Sequence, residues 1–491
     1  MEEENFYDYK ARKEAFVSNL KGTTRWEVFA VGAVFPASFM LFRALLQAGL
    51  LQQHVSAGNR TALNVRFLQE FVFLVLIPLL SMTVLADSAI QVALACVGAS
   101  VAVRMLSGAG HDASSVFAAL NQKRLGFISV FRCGIMLYTC LAILAVDFPA
   151  FPRRFAKTET FGTSLMDLGV GAFVFSGGVV SRMARQGAGV VPRSARPARY
   201  MDECFGVLKS VLPMIVLGIA RFATTKGVEY QEHTSEYGVH WNFFFTLAFM
   251  TLVSGLLRPF MHSPWSTGLF GVGVAALHEV ALTRWGYEGV VMGTNRDTLL
   301  LQNKEGVCSL VGFVAIFFIA SCVGSMMMRP VKASAGRAQE TAFLQKWEQR
   351  AYNLAYGSML LWLAIVLLGT TGGGAADNSF ASSQPGGAVL SRPPSRRMAN
   401  GGYILWVIAH STCLLFGVLV VDFFFPVVGA QSGSVIIDKV NKNQLKVFLF
   451  SNICTGIVNV SIKTLDVPAP WAMAVLTVYM LVVGGAAVNF T

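Results

Sequence analysis

The sequence ILAVDFPAFPRRFAKTETFGTSLMDLGVGAF, residues 143–173, contains the transition that decides the fold. An apolar run ends at Asp147, and seventeen residues crowded with ionisable and hydroxyl side chains separate it from a second apolar run that begins near Ser164. Such an alternation is typical of two membrane-spanning helices that are joined at the bilayer surface. Because charged groups are costly near a membrane interior, we interpret this loop as a polar site at the mouth of the first helix.

The same alternation extends over the whole chain. Of its 491 residues, 54% are hydrophobic and 13% are charged, which is outside the usual balance of a soluble globular protein. A helix that crosses the hydrocarbon layer needs roughly 20 apolar residues. Segment length and the lack of ten-residue alternation predict an all-α polytopic membrane protein rather than a β-barrel. Windows of this length give about 13 transmembrane helices, near residues 27–50, 67–86, 88–106, 127–146, 164–182, 203–222, 239–258, 267–283, 306–328, 353–370, 402–424, 445–462 and 469–490.

The chain divides into a short polar segment and one large membrane domain. Residues 1–26 are charged, do not resemble a cleavable signal, and form a polar or amphipathic N-terminal segment. Residues 27–491 form a single multi-span domain, interrupted by a flexible, low-complexity loop at about 370–395. The eight cysteines are scattered, mostly within apolar runs and without metal or disulfide spacing. We therefore expect no metal site and no permanently bound cofactor.

The distribution of basic residues predicts how the chain lies in the membrane. The net charge of +12 is spread over short loops instead of one continuous patch, so we expect no nucleic-acid partner. Loops 183–202 and 329–352 are rich in arginine and lysine, which favours the cytosolic side. With thirteen spans, this assignment predicts a lumenal N-terminus and a cytosolic C-terminus.

Loop order then places four chemically rich loops together on the lumenal face. These loops combine His, Glu, Asp, Tyr, Trp and Asn, whereas the predicted cytosolic loops contain mainly arginine, alanine and glycine. We expect the chemistry of the protein on this face. The four loops are 147–163, 223–238, 284–305 and 371–401.

The first of these loops contains the two candidate catalytic residues. Asp147 is placed to act as a general base on a hydroxyl group, although it could instead cap a helix or pair with Arg153 or Arg154. Lys157 could stabilise the oxyanion of an acyl transfer, or simply extend toward lipid head groups. The forked guanidinium groups of Arg153 and Arg154 suit phosphate, of a substrate or of the surrounding lipids.

Further candidates lie at the start of the next span and in the later loops. Ser164 and Asp167 share a helix face, and Arg132 is a natural partner for the buried acid. The segment EYQEHTSEYGVHW could hold a polar substrate group or only make interfacial hydrogen bonds, and its spacing argues against zinc because it has no HExxH pattern. The remaining predicted substrate-binding residues are Glu232, His233, His240, Trp241, Asn242, Arg396 and Arg397.

Several segments of the chain closely resemble the GPI inositol acyltransferase family, the PIG-W type enzymes of the endoplasmic reticulum. The similarity covers about a fifth of the chain, in family order. The segments are ILAVDFPAFPRRFAKTETFGTSLMDLGVGAFVFS (143–176), EYQEHTSEYGVHWNFFFTL (229–247), NKEG (303–306), SRRMANGGYILWV (395–407) and NICTGIVN (452–459).

This resemblance implies a multi-pass enzyme of the endoplasmic reticulum membrane. Such an enzyme transfers a fatty acyl group, usually palmitoyl, from acyl-coenzyme A to the inositol 2-hydroxyl of glucosaminyl-phosphatidylinositol. The implied partners are acyl-coenzyme A as donor, the glycolipid as acceptor and membrane lipids, with no obligate protein partner inferred. In the family, the aspartate and lysine of the DFP-x-FPRRFAK motif are associated with acyl transfer, and here they are Asp147 and Lys157.

Other classes of membrane protein are less consistent with these patterns. A lipid transporter or flippase could line its pathway with Arg132 and Asp167, but it would spread charges at mid-depth over several spans. A membrane-bound O-acyltransferase of the MBOAT kind would need a base such as His278 or His410 within a span, and neither lies in a supporting motif. A purely structural subunit is disfavoured by the polar density of the four loops.

The predicted orientation can be tested at Asn59, which begins an Asn-Arg-Thr sequon in a loop placed on the cytosolic side. We expect Asn59 to carry no glycan, measured as unchanged gel mobility after endoglycosidase treatment. A sequon introduced into the 371–401 loop is the matched control and should be glycosylated. A glycan on Asn59 would reverse the orientation.

Overall fold

The fold is built from helices throughout the part of the chain that the structure, a computed structural model, describes. These residues are 2–18, 20–52, 59–108, 113–122, 125–190, 200–227, 234–331, 337–368, 392–427 and 434–490. The predicted flexible loop at about 370–395 lies mostly outside them. The helices are α1 (Glu2–Val17), α2 (Arg25–Gln47), α3 (Arg60–Met82, with a π-helical turn at Val72–Leu76), α4 (Ala89–Ser107), α5 (Ala113–Leu120), α6 (Gly126–Ala145), α7 (Leu165–Val179), α8 (Arg182–Gly187), α9 (Tyr200–Gly227), α10 (Thr234–Tyr237), α11 (Phe243–Leu257), α12 (Pro264–Thr283), α13 (Tyr287–Met292), α14 (Leu299–Gln302), α15 (Lys304–Met328), α16 (Arg337–Leu367), α17 (Gly401–Phe424), α18 (Val435–Lys442), α19 (Gln444–Ser461) and α20 (Ala469–Asn489).

Within those residues, twelve helices are long and apolar enough to cross a membrane. They confirm the prediction of an all-α polytopic membrane protein. The thirteenth predicted span, 445–462, is also helical, but α19 carries Gln444, Lys446 and two asparagines and is not among the twelve. The apolar stretch 67–106 is two helices, as predicted, because the chain leaves α3 at Met82 and passes through a 3-10 turn at Ala86–Ser88.

Helix α15 lies at the centre of one half of the bundle. It packs against α7, α8, α11, α12 and α17, and 72% of the residues in its apolar segment are buried. Glycines permit these close approaches, since lipid supplies little hydrophobic driving force between helices and small residues let their backbones meet. A Cβ at Gly178 of α7, for example, would lie 2.6 Å from the carbonyl oxygen of Phe317. The N-terminus of α15 is thereby held where the polar loops meet.

A buried carboxylate organises the contact between α3 and α18. Glu70 is fully buried and accepts hydrogen bonds from Arg66 Nε at 2.8 Å, Ser434 Oγ at 2.7 Å and the backbone N–H of Ile436 at 2.8 Å. A carboxylate at a helix N-terminus satisfies free N–H groups and complements the helix dipole. Glu70 therefore fixes the start of α18 against α3.

We expect Glu70→Ala to lower the thermal stability of the detergent-solubilised protein strongly, as measured by tryptophan fluorescence. The change leaves Arg66 buried without its partner, and breaking a buried ion pair typically costs about 3–5 kcal/mol. Glu348→Ala, at an exposed position on α16, is the matched control and should change stability little. Equal losses for the two variants would show that Glu70 has no special structural role.

Candidate functional site

The four loops that were predicted to lie on one face of the membrane contact one another in the structure. Lys157 of the first loop contacts Glu236 of the second, and Val239 N–H donates to the Gln302 carbonyl of the third at 2.9 Å. The fourth loop joins the first through Gly162 N–H and the Pro394 carbonyl at 2.8 Å. The described parts of the loops therefore form one continuous polar region at the helix ends.

The loop that follows Asp147 is anchored by aromatic side chains. Phe148, Phe151 and Phe155 are fully buried, and the segment Arg153–Phe155 forms a 3-10 turn. Arg153 closes the loop on itself, because its Nη2 donates to the carbonyls of Val146 at 2.8 Å and Phe151 at 3.0 Å. The backbone between Asp147 and Lys157 is consequently held in a fixed shape.

Asp147 is buried at the start of this loop, with 7% of its surface exposed. Its Oδ2 accepts a hydrogen bond of 2.8 Å from Asn459 Nδ2, and its Oδ1 lies 3.9 Å from Lys13 Nζ. Burial raises the pKa of Asp147 above its usual range, although Lys13, Asn459 and Arg153 act in the opposite direction. Arg153 acts on the Asp147 carboxylate as a nearby charge, while its Nη2 donates hydrogen bonds to backbone carbonyls. The result is a carboxylate with raised basicity that is not tightly ion-paired.

The two adjacent arginines have protein partners of different kinds. The guanidinium of Arg153 lies over the ring of Phe16 at 3.8 Å, and burial lowers its pKa to about 10 while Asp147 opposes this shift. Arg154 donates to Glu27 at 2.8 Å and also contacts Asp87. Phosphate binding by either arginine, as predicted, would require these contacts to be shared or exchanged.

Lys157 belongs to a chain of alternating charges that crosses the site. Its Nζ lies 2.7 Å and 2.8 Å from the two carboxylate oxygens of Glu236. The same carboxylate lies 3.4 Å from Arg396 Nη1, and Arg396 Nε lies 2.8 Å from Asp167 Oδ1. Burial alone would raise the pKa of Glu236, but Lys157 and Arg396 lower it to about 2. Glu236 is therefore held ionised between two cations.

Asp167 is the last residue in this series of alternating charges, and its side chain is fully buried. Its Oδ2 accepts from Thr158 Oγ1 at 2.9 Å and from Ser164 Oγ at 2.8 Å, so Ser164 and Asp167 are in direct contact. The predicted partner Arg132 is wrong. Arg132 donates to Gln444 at 2.6 Å, and the cation that pairs with Asp167 is Arg396, because the fourth loop folds over the start of α7.

A second charged group forms at the start of α15. Glu305 is fully buried and pairs with Arg397 at 2.8 Å and with Arg296 at 2.6 Å. The neighbouring Lys304 donates to the carbonyls of Gly293 at 2.5 Å and Asn295 at 3.0 Å. The adjacent residues Arg396 and Arg397 therefore connect two separate acidic partners, Asp167 and Glu305.

An apolar cavity of about 690 Å³ adjoins the second and third loops. Two predicted residues, His240 and Trp241, lie in its wall, and the His240 ring contacts Gln302 Oε1 at 3.1 Å. Asn242 instead caps α11, since its Oδ1 accepts from Phe244 N–H at 3.0 Å. The other lining residues are Ile219, Phe222, Phe245, Leu299, Leu300, Asn303 and Val307. The predicted residues Glu232 and His233 lie outside the described residues.

Sequence patterns alone did not single out several residues of the site. The pairing of Glu236 with Lys157 was not predicted, although Glu236 lies in the segment EYQEHTSEYGVHW that was considered for a polar substrate group. Asn459 is part of the NICTGIVN segment, so the resemblance was a signal that could have found it. Lys13 lies in an N-terminal segment with many charged residues, so the sequence pattern does not distinguish it from its neighbours. Within the described residues, no group of three His, Cys, Asp or Glu side chains could hold a metal ion.

The fold and the site together define a polytopic helical membrane protein with a buried, charge-paired centre between its loops and an apolar cavity beside it. The chain belongs to the GWT1 family, whose model matches residues 9–490. This membership confirms the resemblance to the GPI inositol acyltransferases that the motifs indicated.

Curated relatives cover nearly the full length of the chain. It is 36% identical to GPI-anchored wall transfer protein 1 of Aspergillus fumigatus, over 98% of this chain and 97% of the relative. It is 32% identical to the protein of the same name from Candida albicans, over 96% and 95% of the two chains. The phosphatidylinositol-glycan biosynthesis class W protein of Dictyostelium discoideum is 29% identical, over 96% and 95%.

The charge chain makes the stability of the protein depend on pH in a defined direction. Because the pKa of Glu236 falls from 4.5 to about 2 on folding, the folded state binds fewer protons and gains stability above pH 4.5. This gain is lost as the pH falls from 4.5 toward 2. We expect the difference in thermal stability between the wild-type protein and Glu236→Gln to narrow from pH 6 to pH 3. A difference that stays constant would contradict the ion pairing.

Proposed function

We propose that this protein is an acyltransferase of GPI-anchor biosynthesis in the endoplasmic reticulum membrane. It would transfer a fatty acyl group, for which we propose palmitoyl, from acyl-coenzyme A to the inositol 2-hydroxyl of glucosaminyl-phosphatidylinositol. Membership of the GWT1 family and the names of its relatives support the pathway. The observation that carries the chemistry is the buried Asp147 carboxylate, which stands in the family motif and lacks a tight ion pair.

In this mechanism, Asp147 accepts the proton of the inositol hydroxyl as that oxygen attacks the thioester carbonyl. The carbon–oxygen bond of the new ester forms, the carbon–sulfur bond breaks, and the proton passes to the leaving thiolate. A carboxylate whose pKa burial has raised is a stronger base than one in water, which favours this step. Asn459 holds one carboxylate oxygen, so the other can face the acceptor.

Lys157 is the proposed donor to the oxyanion that develops on the thioester oxygen. An ammonium group has three N–H donors, and two of them are directed to the oxygens of Glu236. The third donor can face the substrate without loss of the ion pair. The alternative role of Lys157, to keep Asp147 ionised, has less support, because the charges that act on Asp147 are Lys13 and Arg153.

The apolar cavity beside the site is the proposed place for the acyl chain. Its lining is mostly apolar, and His240, Trp241 and Asn303 contribute the polar groups. Burying an acyl chain is favourable by about 0.8 kcal/mol for each methylene group. The acyl carbonyl would then lie toward the loops, while Arg153 and Arg154 remain the proposed phosphate contacts of donor or acceptor.

We expect Asp147→Asn and Lys157→Met each to lower acyl transfer by about 10²-fold or more, since positioned acid–base and oxyanion groups typically contribute this much. The assay follows transfer of a labelled palmitoyl group from palmitoyl-coenzyme A to glucosaminyl-phosphatidylinositol by the reconstituted protein. Asp297→Asn and Lys442→Met, both at exposed positions, are the matched controls.

Near-normal turnover by both Asp147→Asn and Lys157→Met would remove the proposed mechanism. The substrate is tested separately by lipid extraction from cells that lack the protein. Those cells should accumulate glucosaminyl-phosphatidylinositol with a free inositol 2-hydroxyl, and a normal lipid profile would contradict the proposed reaction.

A further inference from the structure

The N-terminal helix α1 packs against the loops that surround Asp147. Tyr9, Lys13 and Phe16 are spaced by four and three residues, so they share one face of the helix. Tyr9 OH accepts from Leu465 N–H at 3.4 Å, and the Phe16 ring lies against the Arg153 guanidinium at 3.8 Å. The contacts of Tyr9 and Phe16 lie before and after Lys13 along α1, and they hold the Lys13 side chain near the Asp147 carboxylate.

Lys13 contacts both Asp147 and the residue that hydrogen-bonds to it, Asn459. Its Nζ lies 3.9 Å from Asp147 Oδ1 and donates to Asn459 Oδ1 at 3.3 Å. Because an ammonium can only donate, this contact requires the amide oxygen of Asn459 to face Lys13. The Asn459 amide nitrogen then faces Asp147, where it donates to Oδ2 at 2.8 Å. Lys13 and the Asp147 carboxylate thus favour the same orientation of the Asn459 amide.

We propose that Lys13 is a positioning residue for Asp147. It supplies a cation that favours the ionised carboxylate and orients Asn459, so that Asp147 Oδ1 is left to accept a proton. This inference rests on the proposed function, because it assigns Lys13 a role through the proposed base. It also makes α1 a part of the site, although α1 is not a membrane-spanning helix.

Burial and two nearby cations act in opposite directions on the Asp147 carboxylate. Burial raises the pKa of this carboxylate, and the charged groups within the described residues that lower it are Lys13 of α1 and Arg153 of the same loop. Arg153, whose Nη2 donates to backbone carbonyls, acts on Asp147 as a nearby charge. A nearby cation favours the ionised form of a carboxylate, so Lys13 lowers the pKa of Asp147 against the effect of burial.

A merely structural role for Lys13 would consist of holding α1 in place. The same helix has another such contact, because Arg12 pairs with Asp466 at 2.6 Å on an exposed surface. Arg12 does not face Asp147, so Arg12→Gln is a matched control that weakens the docking of α1 alone. Lys13→Arg is the conservative variant, since it keeps the positive charge near the carboxylate.

The experiment measures kcat/KM for palmitoyl transfer from pH 5 to pH 9 with the full-length protein in lipid vesicles. We expect Lys13→Met to move the acidic limb of the profile to higher pH by about one unit, with a loss of about tenfold on that limb that shrinks as the pH rises. Lys13→Arg should restore most of the limb, and Arg12→Gln should keep the wild-type profile.

A Lys13→Met profile that is lowered equally at all pH values, or that Arg12→Gln reproduces, would overturn the positioning role and leave a structural one. Asp147→Asn separates this failure from that of the proposed function. If Asp147→Asn is inactive while Lys13→Met has the wild-type limb, only the inference about Lys13 is wrong. If Asp147→Asn is fully active, both are wrong.

Discussion

The ion pair between Asp167 and Arg396 is the interaction on which the rest of the site depends. A charge removed from water must be paired and hydrogen-bonded, and Asp167 meets this need with Arg396, Thr158 and Ser164. These partners come from the first loop, the start of α7 and the fourth loop. Arg396 in turn approaches Glu236, which holds Lys157. The position of the proposed oxyanion donor is therefore set by a carboxylate at the other end of the charge chain.

Hydropathy predicted the helices well because burial in lipid and burial in protein impose the same apolar composition. Hydropathy predicts membrane-spanning helices less well where polar residues face neighbouring helices. Helix α19 is an example, because its Asn459 donates to Asp147. Buried charges such as Glu70 and Arg66 likewise lie inside a span without disturbing it, since each satisfies the other. A local window of sequence contains no information about such pairing across the bundle.

The candidate site shows the same limit. Loop order brought the four loops together, and the spacing of Ser164 and Asp167 predicted that they lie on one face of the helix. Partner choice was not predictable: Arg132 and Arg396 are equally plausible cations for Asp167 by charge, and only the fold shows that the fourth loop reaches it. The contacts of Glu236 and Lys13 were not predicted for a related reason, since each side chain pairs with a residue at least 79 positions away.

The three buried phenylalanines of the first loop have a consequence for how the site would work. A backbone anchored by Phe148, Phe151 and Phe155 keeps Asp147 and Lys157 in preset positions before any substrate arrives. Electrostatic catalysis is most effective when the dipoles and charges need not reorganise during the reaction. Such preorganisation means that the first loop need not rearrange to bring Asp147 and Lys157 into place when a substrate binds.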